Sequence, residues 1–149
     1  MGARDWTDFH PEIDSRAAAA RLEGRLVRTP LVSHPSPDPR IELRLKLENR
    51  QETGSFKARG ATNNLLQLSE EERAAGVVAC SSGNHGKALA WAARNAGVRA
   101  TIVMPKDAYP NKIEACRELG ADVVLSESCL LYTSPSPRDL STSRMPSSA

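Results

Sequence analysis

Three short valine-rich runs, "GVVACSS" at 76–82, "RATIVMP" at 99–105 and "ADVVLS" at 121–126, recur at nearly even intervals through the middle of the chain. Each is too short for a helix and rich in β-branched residues, and each reads as a buried strand. The gaps carry helical patterns. "NHGKALAWAARNAG" at 84–97 places Ala88, Leu89, Ala92 and Ala96 on one face with Gly97 to close it. "YPNKIEACRELG" at 109–120 has Pro110 suited to a first turn and Gly120 at its end. Strand, helix, strand, helix, strand at this rhythm specifies an α/β fold of βαβ units, with a parallel sheet expected to be buried on both faces. Ligands of such sheets bind beyond the carboxyl ends of the strands. "CSSGNHG" at 80–86 lies at such an end.

Upstream, "DSRAAAARLEGR" at 14–25 predicts a helix with Asp14 or Ser15 as N-cap, and Pro30 favours an extended connection after it. "IELRLKLEN" at 41–49 alternates strictly, with Ile41, Leu43, Leu45 and Leu47 on one side, which predicts a half-buried strand. "SFKARGATNNLLQL" at 55–68 predicts a helix packed through Phe56, Ala61, Leu65 and Leu68.

Composition sets limits on function. The 149 residues are 40% hydrophobic and 26% charged, as in a globular protein. A net charge of +2 without a basic run argues against a nucleic-acid partner, and no apolar run is long enough to span a bilayer. The N-terminus has no apolar signal-peptide core. Cys80, Cys116 and Cys129 have no metal-ligand spacing, so no metal site is expected, and a cytoplasmic setting is the simplest.

Two stretches could carry chemistry. In "SSGNHG" the backbone N–H groups of a strand-to-helix turn, with the helix dipole behind them, would hold a carboxylate or phosphate. The plain alternative is a capping turn closed by Ser82 or Asn84 with nothing bound; His85 is either a base or a residue that orients the loop. In "ETGSFKARGA" at 52–61, Lys57 follows Phe56 in the first turn of a helix. Most such lysines are solvated; a reactive one needs burial or nearby cations to free its amine. Phe56 offers apolar surface, and Arg59 offers a second cation.

Taken together, "ENRQETGSFKARGA" and "SSGNHGKALAWAA", with "TPLV", "TIVMP" and "NKIEACRELGADVVL" in the same order, resemble the fold type II (tryptophan synthase β-like) pyridoxal-phosphate enzymes. The match is nearest the threonine/serine dehydratase and serine racemase branch. The resemblance implies that Lys57 bonds pyridoxal 5′-phosphate covalently, that Phe56 packs on its ring and that Asn84 hydrogen-bonds its 3′ oxygen. It implies that Ser81, Ser82, Gly83, Asn84 and His85 receive the substrate carboxylate, and that Ser82 can act as a second acid opposite Lys57. It implies dehydration and deamination of L-threonine or L-serine to a 2-oxo acid and ammonia by a homo-oligomeric parent enzyme. Racemisation and hydroxyaspartate dehydration are alternatives within the family. Outside it, the alternative is a non-catalytic α/β domain that binds a small molecule.

By the same resemblance, 1–40 is the N-terminal segment of the larger domain and 41–128 part of the small domain. "CLLYTSPSPRD" and "SRMPSSA" resemble the translation of a sequencing-library adapter, so 129–149 is expected to be a non-native tail. The chain is then expected to be a truncated fragment, lacking the Gly-rich phosphate loop and inactive alone.

Overall fold

The structure, a computed structural model, describes residues 14–127, so the expected tail at 129–149 lies outside it. Helix α1 (Ser15–Leu22) starts where the Asp14 carboxylate accepts the Ala17 N–H at 2.8 Å. Pro30 ends the connection that follows, and the chain extends into β1 (Leu31–His34). This strand pairs antiparallel with β2 (Leu43–Lys46), Leu31 opposite Lys46. The strand anticipated over 41–49 is thus shorter, and Glu48–Arg50 turn into one 3-10 turn. Its apolar side is only partly covered. Leu43 and Leu47 are half-buried, whereas Ile41 and Leu45 are exposed, because a two-stranded ribbon alone has no second layer.

Helix α2 (Lys57–Leu65) buries Ala58, Ala61, Thr62 and Leu65. Phe56, expected on that packed face, instead precedes the helix with 55% of its surface exposed. Helix α3 (Glu70–Ala75) begins with a reciprocal capping box between Ser69 and Glu72. The βαβ units follow: β3 (Val77–Cys80), α4 (Asn84–Ala96), β4 (Ala100–Pro105), α5 (Pro110–Glu118) and β5 (Asp122–Ser126). The order is β3-β4-β5, all parallel, with Ala79, Ile102 and Val123 in register.

Consecutive strands joined by crossovers of one hand must place both helices on one face, and α4 and α5 do touch. The covered face holds the core: Ile102 and Met104 are fully buried among alanines of α4, with Leu65 of α2 and Cys116 of α5 in the same cluster. The opposite face corrects the expectation of a sheet buried on both sides. Val78 is 72% and Val124 49% exposed. Cys116 is buried in that core, whereas Cys80 at the end of β3 is half-buried.

Candidate active site

The turn after β3 is built from its own side chains. Ser81 is buried, and its hydroxyl oxygen accepts the N–H groups of Gly83 at 3.4 Å and Gly86 at 3.1 Å. Neither Ser82 nor Asn84 caps α4, whose N-cap is Gly83 without a side-chain bond. A helix leaves its first N–H groups without intrahelical partners. With Gly83 and Gly86 satisfied by Ser81, those of Asn84 and His85 remain at the open end. The close approach depends on Gly86: a Cβ there would lie 2.6 Å from the Ser81 carbonyl oxygen and 3.1 Å from an Ile102 methyl. Ser82 and Gly83 are half-buried, and Asn84 and His85 are exposed.

Lys57 is the first residue of α2, half-buried, with its Nζ 5.0 Å from the centroid of the Phe56 ring. That is cation–π range. The loop before it turns at Gly54, whose φ of +75° suits glycine. Helices α2 and α4 pack on each other, which brings the two motifs to one place. Local desolvation, and after it the Lys57 charge, hold the His85 imidazole below its ordinary pKa, although the residue as a whole is exposed. His85 therefore favours its neutral form near Lys57. A groove of about 410 Å³ runs beside this region, bounded by Gly60 and Asn64 of α2, Val78 of β3 and His85 of α4.

Arg59 does not crowd the lysine as a free cation. Its guanidinium donates from Nε to Glu48 Oε2 at 2.9 Å and from Nη2 to Oε1 at 2.8 Å. This paired geometry holds the Glu48 carboxyl below the usual range, with lesser help from Thr29 and Lys46. Neither Glu48 nor Gln51 stands out in the sequence, because Thr29 and Val27, which they also bind, lie some twenty residues upstream.

A planar aromatic aldehyde with hydrogen-bonding substituents fits what is present. Lys57 offers an amine, Phe56 an exposed ring face, and Asn84 an exposed amide beside open N–H groups. Thr53 Oγ1 and Ser55 Oγ, in the loop leading to Lys57, are buried without hydrogen-bond partners among the described residues. Among those residues no cluster of His, Cys, Asp and Glu could hold a metal ion.

A parallel βαβ sheet with a half-buried lysine at one helix start and an N–H-lined turn at another describes the candidate site, and comparison with known proteins gives the class. Residues 22–140 match the family model described as pyridoxal-phosphate dependent enzyme, and the chain belongs to that family. The match enters the stretch read as adapter. An L-threo-3-hydroxyaspartate ammonia-lyase of a Pseudomonas species is 51% identical over 109 residues, 72% of this chain and 34% of that protein. An L-threonine ammonia-lyase of Thermotoga maritima is 57% identical over 84 residues, 56% of this chain and 21% of that one. The solved serine racemase of Dictyostelium discoideum superposes with a TM-score of 0.72 at 40% identity, over 77% of this chain and 38% of that one. The chain thus spans about a third of the length of the curated relatives it matches over most of its own. The family assignment and the α/β fold read from the sequence both hold.

Proposed function

We propose that this chain carries the lysine-bearing part of an ammonia-lyase that converts L-threonine or L-serine to a 2-oxo acid and ammonia. The observation that carries this is the Lys57 amine, seated against the Phe56 ring and within electrostatic reach of His85 in the α4 turn. Bound pyridoxal phosphate would supply the electron sink for the carbanion that forms at the substrate Cα. Lys57 would hold that group covalently, and its amine would serve as the general base for the substrate Cα proton. Phe56 would pack on the ring and Asn84 would hydrogen-bond its 3′ oxygen. The substrate carboxylate meets the N–H groups of Asn84 and His85 together with Ser82 and Gly83, while Ser81 builds the turn from beneath. A neutral His85 adds no second cation beside the amine.

One observation favours a second reading, an amino-acid racemase. Ser82, unlike Ser81, spends its hydroxyl on no hydrogen bond among the described residues, so it is free to return a proton to Cα. Hydroxyaspartate is a further candidate substrate. The parent enzyme is proposed to be a cytoplasmic homo-oligomer, and no described helix is long and apolar enough to cross a membrane. The 149-residue polypeptide itself is proposed to be inactive.

The test is a chimera of the relatives' length, with residues 22–127 of this chain replacing the matched segment of a threonine dehydratase. Lys57→Ala in it is expected to lower 2-oxobutanoate formation from threonine by about a thousandfold or more. Turnover that survives the substitution would refute the lysine's role. Ser82→Ala separates the two readings: it is expected to spare dehydration and to abolish racemisation if Ser82 is the second acid.

A further inference from the structure

The loop 52–56 that delivers Lys57 has little to hold it from within. Its own backbone bonds are Gly54 N–H to the Gln51 carbonyl at 2.7 Å, Ala58 N–H to the Ser55 carbonyl at 3.5 Å and, where it enters the helix, Arg59 N–H to the Phe56 carbonyl at 3.1 Å. Both of its hydroxyls, on Thr53 and Ser55, are buried without partners among the described residues. What holds it lies at its two ends. Before the loop, the buried Gln51 side chain pairs with Val27 as a strand would. Its Oε1 accepts the Val27 N–H at 3.1 Å, and its Nε2 donates to the Val27 carbonyl at 2.9 Å. After the loop, Arg59 forks onto both oxygens of Glu48. Glu48 Oε1 in turn accepts the hydroxyl of Thr29, which is 2% exposed, at 2.5 Å, and Lys46 Nζ donates to the Thr29 carbonyl.

An isolated ion pair at a surface would contribute little. This one is two-pronged, sits with side-chain exposures of 34% and 19%, and has a buried hydroxyl as third member. Both ends of the loop are tied to the same strap, Val27–Thr29, on which Gln51 and Glu48 converge. Arg59 and Lys57 share the first turn of α2, so the fork that fixes Arg59 also fixes the direction in which the lysine leaves the helix.

We propose that Gln51, Glu48 and Arg59, acting on the Val27–Thr29 strap, form a two-ended clamp that positions Lys57. They are positioning residues that act through the loop, and the inference rests on Lys57 being the residue that does the covalent chemistry. The test needs neither cofactor nor turnover, so its outcome is separate from that of the proposed activity. In the 149-residue chain, amide hydrogen exchange is followed by peptide mass mapping. In parallel, trace acetylation by acetic anhydride gives the reactivity of Lys57 relative to the exposed Lys112 of α5.

Glu48→Gln and Arg59→Met are expected to speed exchange across 52–58 by about tenfold while 88–104 stays protected, because local opening is uncoupled from the core. The Lys57-to-Lys112 ratio is expected to change by about threefold or more in both variants, and by less in Arg59→Lys, which keeps the charge but loses the fork. Unchanged loop exchange and an unchanged ratio would overturn the clamp. So would a uniform loss of protection, which would make the pair a part of general stability. The Lys57→Ala turnover experiment decides the activity independently of either result.

Discussion

Lys57 and Arg59 stand two residues apart, and the sequence alone presents them as two like charges at a helix start. In the fold their environments diverge: Lys57 turns to the Phe56 ring while Arg59 turns back onto Glu48. Two pH-dependent consequences belong at this scale. Removing the Lys57 charge in Lys57→Met is expected to raise the His85 titration midpoint toward the ordinary imidazole value, measured by NMR of the ring protons; no movement would mean the two groups are not electrostatically coupled. Glu48 has a folded-state pKa below its unfolded one, so its contribution is full above the usual Glu range and is lost as pH falls from that range through the lower folded-state value. Glu48→Gln is therefore expected to show a smaller fall in melting temperature between about pH 6 and about pH 3 than the unsubstituted chain. The motif residues were legible as candidates because lysine after an aromatic, and glycines after a strand, are local patterns. Their supports, Thr29 and Gln51, were not, since a hydrogen bond across twenty-odd residues leaves no local pattern.

The elements themselves separate into those fixed by periodicity and those fixed by contacts. The three parallel strands and the helices between them follow from valine-rich runs and alanine-rich faces, and each appears where the pattern puts it. Helix α3 was missed although its capping box, Ser69 with Glu72, is written in the sequence as "SEEE". At six residues it is too short for a hydrophobic stripe to stand out. Phe56 was misplaced because helical spacing counted it one position inside α2, when it is the residue before the helix. The turn into α4 is the element on which the site depends most, and Gly86 is its tightest point. Gly86→Ala drives a methyl group toward the Ser81 carbonyl, and is expected to cost about 1–3 kcal/mol in chemical denaturation as an overpacked contact. Stability equal to that of the unsubstituted chain would show that the turn can relax.

At the scale of the whole molecule, the described residues cover one face of the sheet where the sequence led to an expectation of two. Valine-rich strands read as buried on both sides, yet the consecutive order β3-β4-β5 sends both crossovers to one face. The covered face should carry the stability. Ile102→Ala is expected to cost about 2–5 kcal/mol, and Val78→Thr on the open face less than about 0.5 kcal/mol, both read from denaturant melts of the 149-residue chain. Comparable losses at the two positions would mean that the open face is covered. The chain belongs to the pyridoxal-phosphate family, and the proposed function rests on one lysine. In the chimera of the relatives' length, borohydride reduction with bound pyridoxal phosphate and peptide mass mapping locate the covalently held cofactor. The label is predicted on Lys57 and on no other lysine, and is predicted to vanish in Lys57→Ala; a label on another lysine, or one that persists in that variant, would contradict the account.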